Sequence, residues 1–285
     1  MSELLVVEDL TVTLPTTRGP VDVVKDVSFT VGRDETVGIV GESGSGKSMT
    51  SLAVMGLLPP GALTRGSIRL DGEELLGRTD REMRRVRGEQ VSMVFQDPLS
   101  SLNPYYTVGL QIEEMYRAHR GGKRKATRAV AVEALDQVGI PEPERRAGYY
   151  PHQFSGGQRQ RVMIAMALVC SPALVIADEP TTALDVTVQA QILRLLADLQ
   201  RQTHTGMVFI THDLAVISSI ATRVLVMREG EQLEYDTTER VFSAPQHAYT
   251  HQLLDSIPRI TDELPAEPPS AFPADTSDAP DEVVL

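Results

Sequence analysis

Residues 36–49 read Thr36-Val37-Gly38-Ile39-Val40-Gly41-Glu42-Ser43-Gly44-Ser45-Gly46-Lys47-Ser48-Met49, and this stretch decides the fold. Thr36 to Val40 is short, apolar and β-branched, as a buried strand requires, and Met49 to Leu58 has helical composition. Between them residues 41–48 match G-x-x-x-x-G-K-[ST], a phosphate loop that needs this strand-before, helix-after order. Glycines at 41, 44 and 46 let the backbone bring successive N–H groups to phosphate oxygens, and the following helix adds the positive end of its dipole. Lys47 can reach the β- and γ-phosphates and the Ser48 hydroxyl can ligate Mg²⁺. A plain glycine-rich turn carrying a surface lysine is the weaker reading, because the flanking elements fit as well as the letters do. The stretch therefore predicts a nucleoside triphosphate ligand without saying what its hydrolysis drives.

At 285 residues the chain is long enough for one sizeable core with an inserted subdomain or a tail. The single cysteine, Cys170, excludes an internal disulfide; set in the apolar run from Ala165 to Val169, it reads as a small buried hydrophobe. No apolar run approaches the roughly 20 residues that cross a bilayer, and the opening MSELLVVEDL lacks a basic region followed by a hydrophobic one. A soluble, unsecreted chain is expected, with any membrane role exercised through partners. The net charge is −12, and seven acids lie in residues 261–285, which hold no Lys or Arg. The mildly acidic body is a poor match to a phosphate backbone, so nucleic acid is not expected as a partner.

Outward from the loop, Leu4 to Val31 alternates in strand fashion, with a turn expected over Pro15 to Pro20, and reads as antiparallel strands feeding the phosphate-loop strand. Gly66 to Gly72 is a strand closed by an Asp-Gly turn, and Val91 to Phe95 is an apolar strand that stops at Gln96-Asp97-Pro98. Val108 to His119 and Ala126 to Val138 have helical spacing, so a helical insertion over about 97–158 is expected; the basic run 120–125 between them reads as a solvated loop. Ala173 to Ala177 is a buried strand ending in Asp178-Glu179, Met207 to Ile210 another ending in Thr211-His212-Asp213, and Val224 to Met227 a late strand with a hairpin turn. Residues 258–285, rich in Pro, Ala and acids, read as a disordered tail behind a globular unit over 1–257.

A phosphate loop needs an acidic partner for Mg²⁺, and the strand ending in Asp178 supplies one at a sheet edge, to hold the metal or a metal-bound water. The adjacent Glu179 points differently and can orient or deprotonate the attacking water. Phe154-Ser155-Gly156-Gly157-Gln158 places a Ser N-cap and exposed glycine amides at a helix start, a second anion site that one nucleotide does not need.

SGGQ at 155–158 just ahead of ADEPTTALD at 177–185, with Gln96 upstream and His212 downstream, resembles the ATP-binding cassette ATPase family over about residues 4–257. The resemblance implies an α/β fold, a phosphate-loop NTPase (RecA-like) core with an antiparallel β subdomain and an inserted α-helical subdomain. It implies ATP and Mg²⁺ as cofactors. ATP would be held by Gly41, Glu42, Ser43, Gly44, Ser45, Gly46, Lys47, Ser48 and Met49, and Mg²⁺ by Ser48, Gln96 and Asp178. Glu179 would be the base, His212 would contact the γ-phosphate, and Gln96 would complete the catalytic group. Ser155, Gly156, Gly157 and Gln158 would close the ATP site of an opposing subunit, and Ala183-Leu184-Asp185 would form the loop between the two. Members usually stack an aromatic residue on adenine; here Leu14 holds that place, so apolar contact from Leu14 with Val21 or Val23 is expected instead.

Gln96 to Pro104, EPTTALDVTVQAQIL over 179–193 and His247-Ala248-Tyr249-Thr250 closely resemble the peptide/nickel importer subfamily, in which oligopeptide and dipeptide permeases dominate. The partners implied are a second cassette, two transmembrane permeases and an extracytoplasmic solute-binding protein, with the chain peripheral on the cytoplasmic face of the membrane. The stretch His247 to Leu254 reads as a terminal amphipathic helix packed on the core. Some relatives carry a cysteine cluster beyond this helix; the cysteine count excludes one here. Nickel or metallophore import, a non-transport cassette ATPase and a catalytically silent cassette are the competing readings. Intact Lys47, Asp178, Glu179 and His212 speak against the last.

Overall fold

A computed structural model describes residues 3–182 and 184–256. The alternation at the start becomes a long hairpin: β1 (Glu3–Thr16) pairs antiparallel with β2 (Gly19–Gly32), and Leu5, Val7, Leu10 and Val12 are buried. The turn is narrower than Pro15 to Pro20. Only Thr17 and Arg18 lie outside the ladder, with Pro15 and Pro20 facing each other one rung from its end, where a missing N–H costs least.

The remaining strands in chain order are β3 (Thr36–Val40), β4 (Leu63–Leu70), β5 (Glu73–Glu74), β6 (Val91–Val94), β7 (Leu174–Asp178), β8 (Gly206–Thr211), β9 (Arg223–Arg228) and β10 (Glu231–Thr237). The helices are α1 (Lys47–Met55), α2 (Asp80–Val86), α3 (Pro98–Ser101), α4 (Val108–Arg120), α5 (Arg124–Gln137), α6 (Pro143–Arg146), α7 (Gly156–Leu168), α8 (Val186–Thr203), α9 (Leu214–Ile220), α10 (Thr238–Ser243) and α11 (Ala248–Asp255). The strands form one sheet in the order β5-β4-β1-β2-β10-β9-β3-β8-β7-β6. Strand β3 runs parallel to both neighbours, β8 and β9, and β7 and β6 continue the parallel set, whereas β1, β2, β4 and β5 are antiparallel.

Covering both faces explains why the parallel strands read as unbroken apolar runs: every residue of β3, β6, β7 and β8 is buried. Alternate residues then serve opposite cores. Val40, Val175 and Phe209 pack with α4, α5, α7, α8 and α9, while Ile39, Ile176 and Ile210 pack on the side of α1 and the β1–β2 hairpin. Cys170 is buried, and burial raises its thiol pKa above the ordinary value.

The basic run is not wholly a loop. Arg124 and Lys125 open α5 behind Lys123, leaving Gly121 and Gly122 as the connector, and the side chains of 123–125 are exposed. The tail over 258–285 and Ala183 of the expected Ala183-Leu184-Asp185 loop lie outside the described residues; Asp185 caps α8 by accepting from the Val188 N–H at 2.9 Å.

Candidate functional site

In a parallel sheet the C-terminal strand ends gather at one edge, and the loops after β3, β6, β7 and β8 carry the phosphate loop, Gln96, Glu179 and His212 respectively. They meet around one cleft of about 820 Å³. Gly41 to Met49 line it, together with Gln96, Glu179, His212 and the apolar side chains Leu14, Val23 and Leu253. Of the two valines considered for base contact, Val23 faces the cleft and Val21 does not.

The loop's glycines are required by close approach. A Cβ on Gly41 would sit 2.1 Å from the Met227 carbonyl oxygen, and one on Gly46, at φ 98°, would sit 2.7 Å from that of Val23. Gly46 in this left-handed conformation starts α1, whose first N–H groups face the cleft. Lys47 is only 5% exposed. Its Nζ donates to Gly41 O at 2.7 Å and Glu42 O at 2.8 Å. Burial lowers its pKa, and the carboxylates of Glu179, Asp178 and Glu42 oppose that shift.

Ser48 Oγ donates to Asp178 Oδ1 at 3.3 Å. Burial pushes the Asp178 carboxyl above its ordinary value, against the lowering influence of the Ser48 bond. A hydroxyl and a carboxylate side by side are hard oxygen donors suited to Mg²⁺. Among the described residues no group of three or more His, Cys, Asp or Glu side chains is placed to hold a metal ion by itself.

Glu179 has φ 47°, in the left-handed region unusual for a residue with a side chain, and its N–H donates to Ile210 O at 2.9 Å. The turn aims its carboxylate away from that of Asp178 into a group of polar side chains. Gln96 Nε2 and Thr182 Oγ1 donate to Glu179 Oε2 at 2.9 and 3.0 Å, and His212 Nδ1 lies 3.5 Å from Oε1. Thr182, three residues past the base, was not singled out by sequence, although it lies within the quoted ADEPTTALD. Leu253 and Tyr249 of α11 were read as packing, yet Leu253 lines the cleft and the Tyr249 hydroxyl accepts the Glu42 N–H at 3.2 Å.

Ser155, Gly156, Gly157 and Gln158 stand apart from this cleft at the N-terminus of α7. Ser155 Oγ accepts from the Gln158 N–H at 3.4 Å and Gln158 Oε1 accepts from the Ser155 N–H at 3.2 Å, a reciprocal capping box. The first-turn amides of Gly156 and Gly157 are not used by the box, and Ser155 and Gly156 are exposed. Gly157 is needed for packing as well: a Cβ there would lie 2.6 Å from Val188 Cγ1 of α8.

A family model described as ABC transporter matches residues 24–182, and one described as Oligopeptide/dipeptide transporter, C-terminal region, matches residues 233–280. The oligopeptide transport ATP-binding protein OppD of Haemophilus influenzae is 49% identical over 276 residues, 95% of this chain and 85% of that protein. The dipeptide transport ATP-binding protein DppD of Bacillus subtilis is 50% identical over 262 residues, 91% of this chain and 78% of that protein. Among solved structures, a dimeric post-hydrolysis state of the ATP-binding cassette MJ0796 bound to ADP and Pi superposes with a TM-score of 0.73 at 30% identity, covering 82% of this chain and 99% of that one.

Proposed function

The chain belongs to the ABC transporter family, and from that premise we propose that it is the ATP-hydrolysing subunit of an importer for oligopeptides or dipeptides. The observation that carries the reading is the convergence of Lys47, Gln96, Glu179 and His212 on one cleft while Ser155 and Gly156 lie exposed outside it. The peptide class is supported by the C-terminal family match over 233–280 and by the names of the relatives.

Catalysis in such a cleft is mostly positioning and charge neutralisation. The loop amides and Lys47 hold the triphosphate, with the base against Leu14 and Val23. Ser48, Asp178 and the free oxygen of the Gln96 amide would hold Mg²⁺, which when bound neutralises charge on the β- and γ-phosphates. Glu179, oriented by Gln96 and Thr182, takes the proton of the attacking water, and His212 steadies the γ-phosphate end. Ser155 and the Gly156 and Gly157 amides offer a second set of donors to the γ-phosphate held by an opposing cassette, so two cassettes close over two ATPs and reopen on hydrolysis. The helices over about 97–158 form the inserted subdomain that presents this tip.

Permease partners in the membrane are supported by the transport ATP-binding names of the relatives; among the described residues no helix is long and apolar enough to cross a membrane. An apolar groove of about 320 Å³, lined by Met55, Met93, Phe95, Met115 and Met163 among others, opens beside Gln96 and would seat a short helix of one permease on the cytoplasmic side. Replacing Glu179 with Gln tests the assignment: ATP binding persists, a closed dimer accumulates on size exclusion, and turnover falls at least about 100-fold. Wild-type hydrolysis by that variant would refute the base.

A further inference from the structure

Helix α11 reaches the phosphate loop with a side-chain hydrogen bond at Tyr249. Tyr249 is 3% exposed, and its hydroxyl accepts the Glu42 N–H at 3.2 Å. That N–H belongs to the peptide unit whose carbonyl is Gly41 O, the 2.7 Å acceptor of the Lys47 ammonium. One rigid peptide plane thus links the tyrosine to the lysine.

The tyrosine is itself held firmly. The Arg228 guanidinium, at the end of β9, lies 4.8 Å from the Tyr249 ring centroid. Thr250 Oγ1 and the Gln246 and His247 N–H groups all donate to the carboxylate of Glu234 in β10, at 2.7, 3.0 and 3.4 Å. His247 Nδ1 caps α11 by accepting from the Tyr249 N–H at 3.1 Å, and Leu253, one turn along, lines the nucleotide cleft.

We infer that Tyr249 is a positioning residue of the ATPase reaction: its hydroxyl fixes the Gly41–Glu42 peptide, and through the Gly41 carbonyl the Lys47 ammonium, so the C-terminal helix sets the grip on the triphosphate. The inference rests on the reading of the cleft as an ATP site. The glycine at 41 is what makes an outside anchor useful. Met227 O crowds that residue, the loop must pass without a side chain, and a glycine backbone left to itself has more freedom than a lysine clamp can tolerate.

Tyr249→Phe keeps the ring in the core and under Arg228 and removes the hydroxyl, both as acceptor of the Glu42 N–H and in its contact with the Glu42 side chain. In the full chain, displacement of a fluorescent ATP analogue would be measured with ATP and with inorganic tripolyphosphate, which carries no base. Both competitors should weaken by the same factor, roughly 3- to 10-fold, the worth of one neutral hydrogen bond. The KM for ATP should rise in step while kcat changes less than about twofold, and thermal stability should stay close to wild type. Arg228→Ala, which leaves the hydroxyl in place, should cost less. Unchanged affinity for both competitors in Tyr249→Phe would overturn the inference. So would a loss confined to ATP, or a loss that merely follows a large drop in melting temperature. If the wild-type chain bound neither competitor, the ATP-site reading would fail first.

Discussion

Asp178, beside the cleft, is a buried carboxyl held in an unfavourable setting for its charge. It is 8% exposed, next in sequence to Glu179, and its one hydrogen-bond partner among the described contacts is Ser48. Burial holds its carboxyl above the ordinary value, so ionising it costs more in the folded chain than in the unfolded one. The Ser48 bond and the Lys47 ammonium offset only part of that cost, and the rest would be offset when nucleotide and Mg²⁺ arrive. Asp178→Asn should therefore stabilise the nucleotide-free protein by about 1 kcal/mol, a rise of about 2–4 °C in melting temperature, while turnover with Mg²⁺ collapses. Calorimetry without metal or nucleotide, beside an ATPase assay, checks both halves; a lower melting temperature would contradict the argument. Lys47, Asp178 and Glu179 were legible in the sequence because phosphate chemistry dictates residue types at short fixed spacings. Tyr249 was not, because its contact with Glu42 spans 207 residues and no local pattern encodes it.

At the scale of elements the weak seam is where the antiparallel strands join the parallel ones. Strand β10 pairs with β2 through a single ladder position, Glu231 with Lys25. Sequence periodicity gives the strands but says nothing of how this seam is closed, and EQLEYDT of β10 carries little strand signal of its own. A side-chain node does the closing. Arg223 at the start of β9 donates to both oxygens of Glu35 at 2.6 and 2.7 Å and to Thr30 O of β2 at 2.9 Å, and its guanidinium lies 5.1 Å from the ring centroid of Tyr235 in β10. Burial alone would raise the Glu35 pKa, but the bonds from Arg223 and the Gly32 N–H outweigh it, and the net shift is downward from 4.5. A carboxylate lowered in this way contributes stability above its unfolded pKa and loses it as pH falls through the folded one. Glu35→Gln should cost about 2 kcal/mol at pH 7. Its stability curve should approach wild type as pH falls through the lowered folded-state pKa, where the native glutamate becomes protonated too. A gap between the two that stayed constant from pH 7 to pH 3 would show that charge at Glu35 is not what closes the seam.

At the scale of the whole molecule, the proposed function assigns the cleft and the tip of α7 to different nucleotides. The phosphate loop, Gln96, Glu179 and His212 form one surface, and the capped turn at Ser155 is exposed elsewhere with two glycine amides to spare. On the proposed head-to-tail arrangement the chain carries half of each of two sites. The motif order hinted at this, since one nucleotide needs only one phosphate cradle, but no spacing could say that SGGQ would lie outside its own chain's cleft. Ser155→Arg isolates the consequence. The arginine is exposed and breaks only the capping box, so the chain's own ATP affinity should stay within about twofold of wild type. If the proposed arrangement holds, the same arginine would occupy the place of a γ-phosphate donor in the opposing site of the assembled transporter, and turnover there should fall at least about 100-fold. Equilibrium binding on the isolated chain and hydrolysis by the assembly separate the two effects. If Ser155→Arg weakened the chain's own ATP affinity as strongly as it slowed the assembly, the α7 tip would belong to its own cleft, and the head-to-tail arrangement would be wrong.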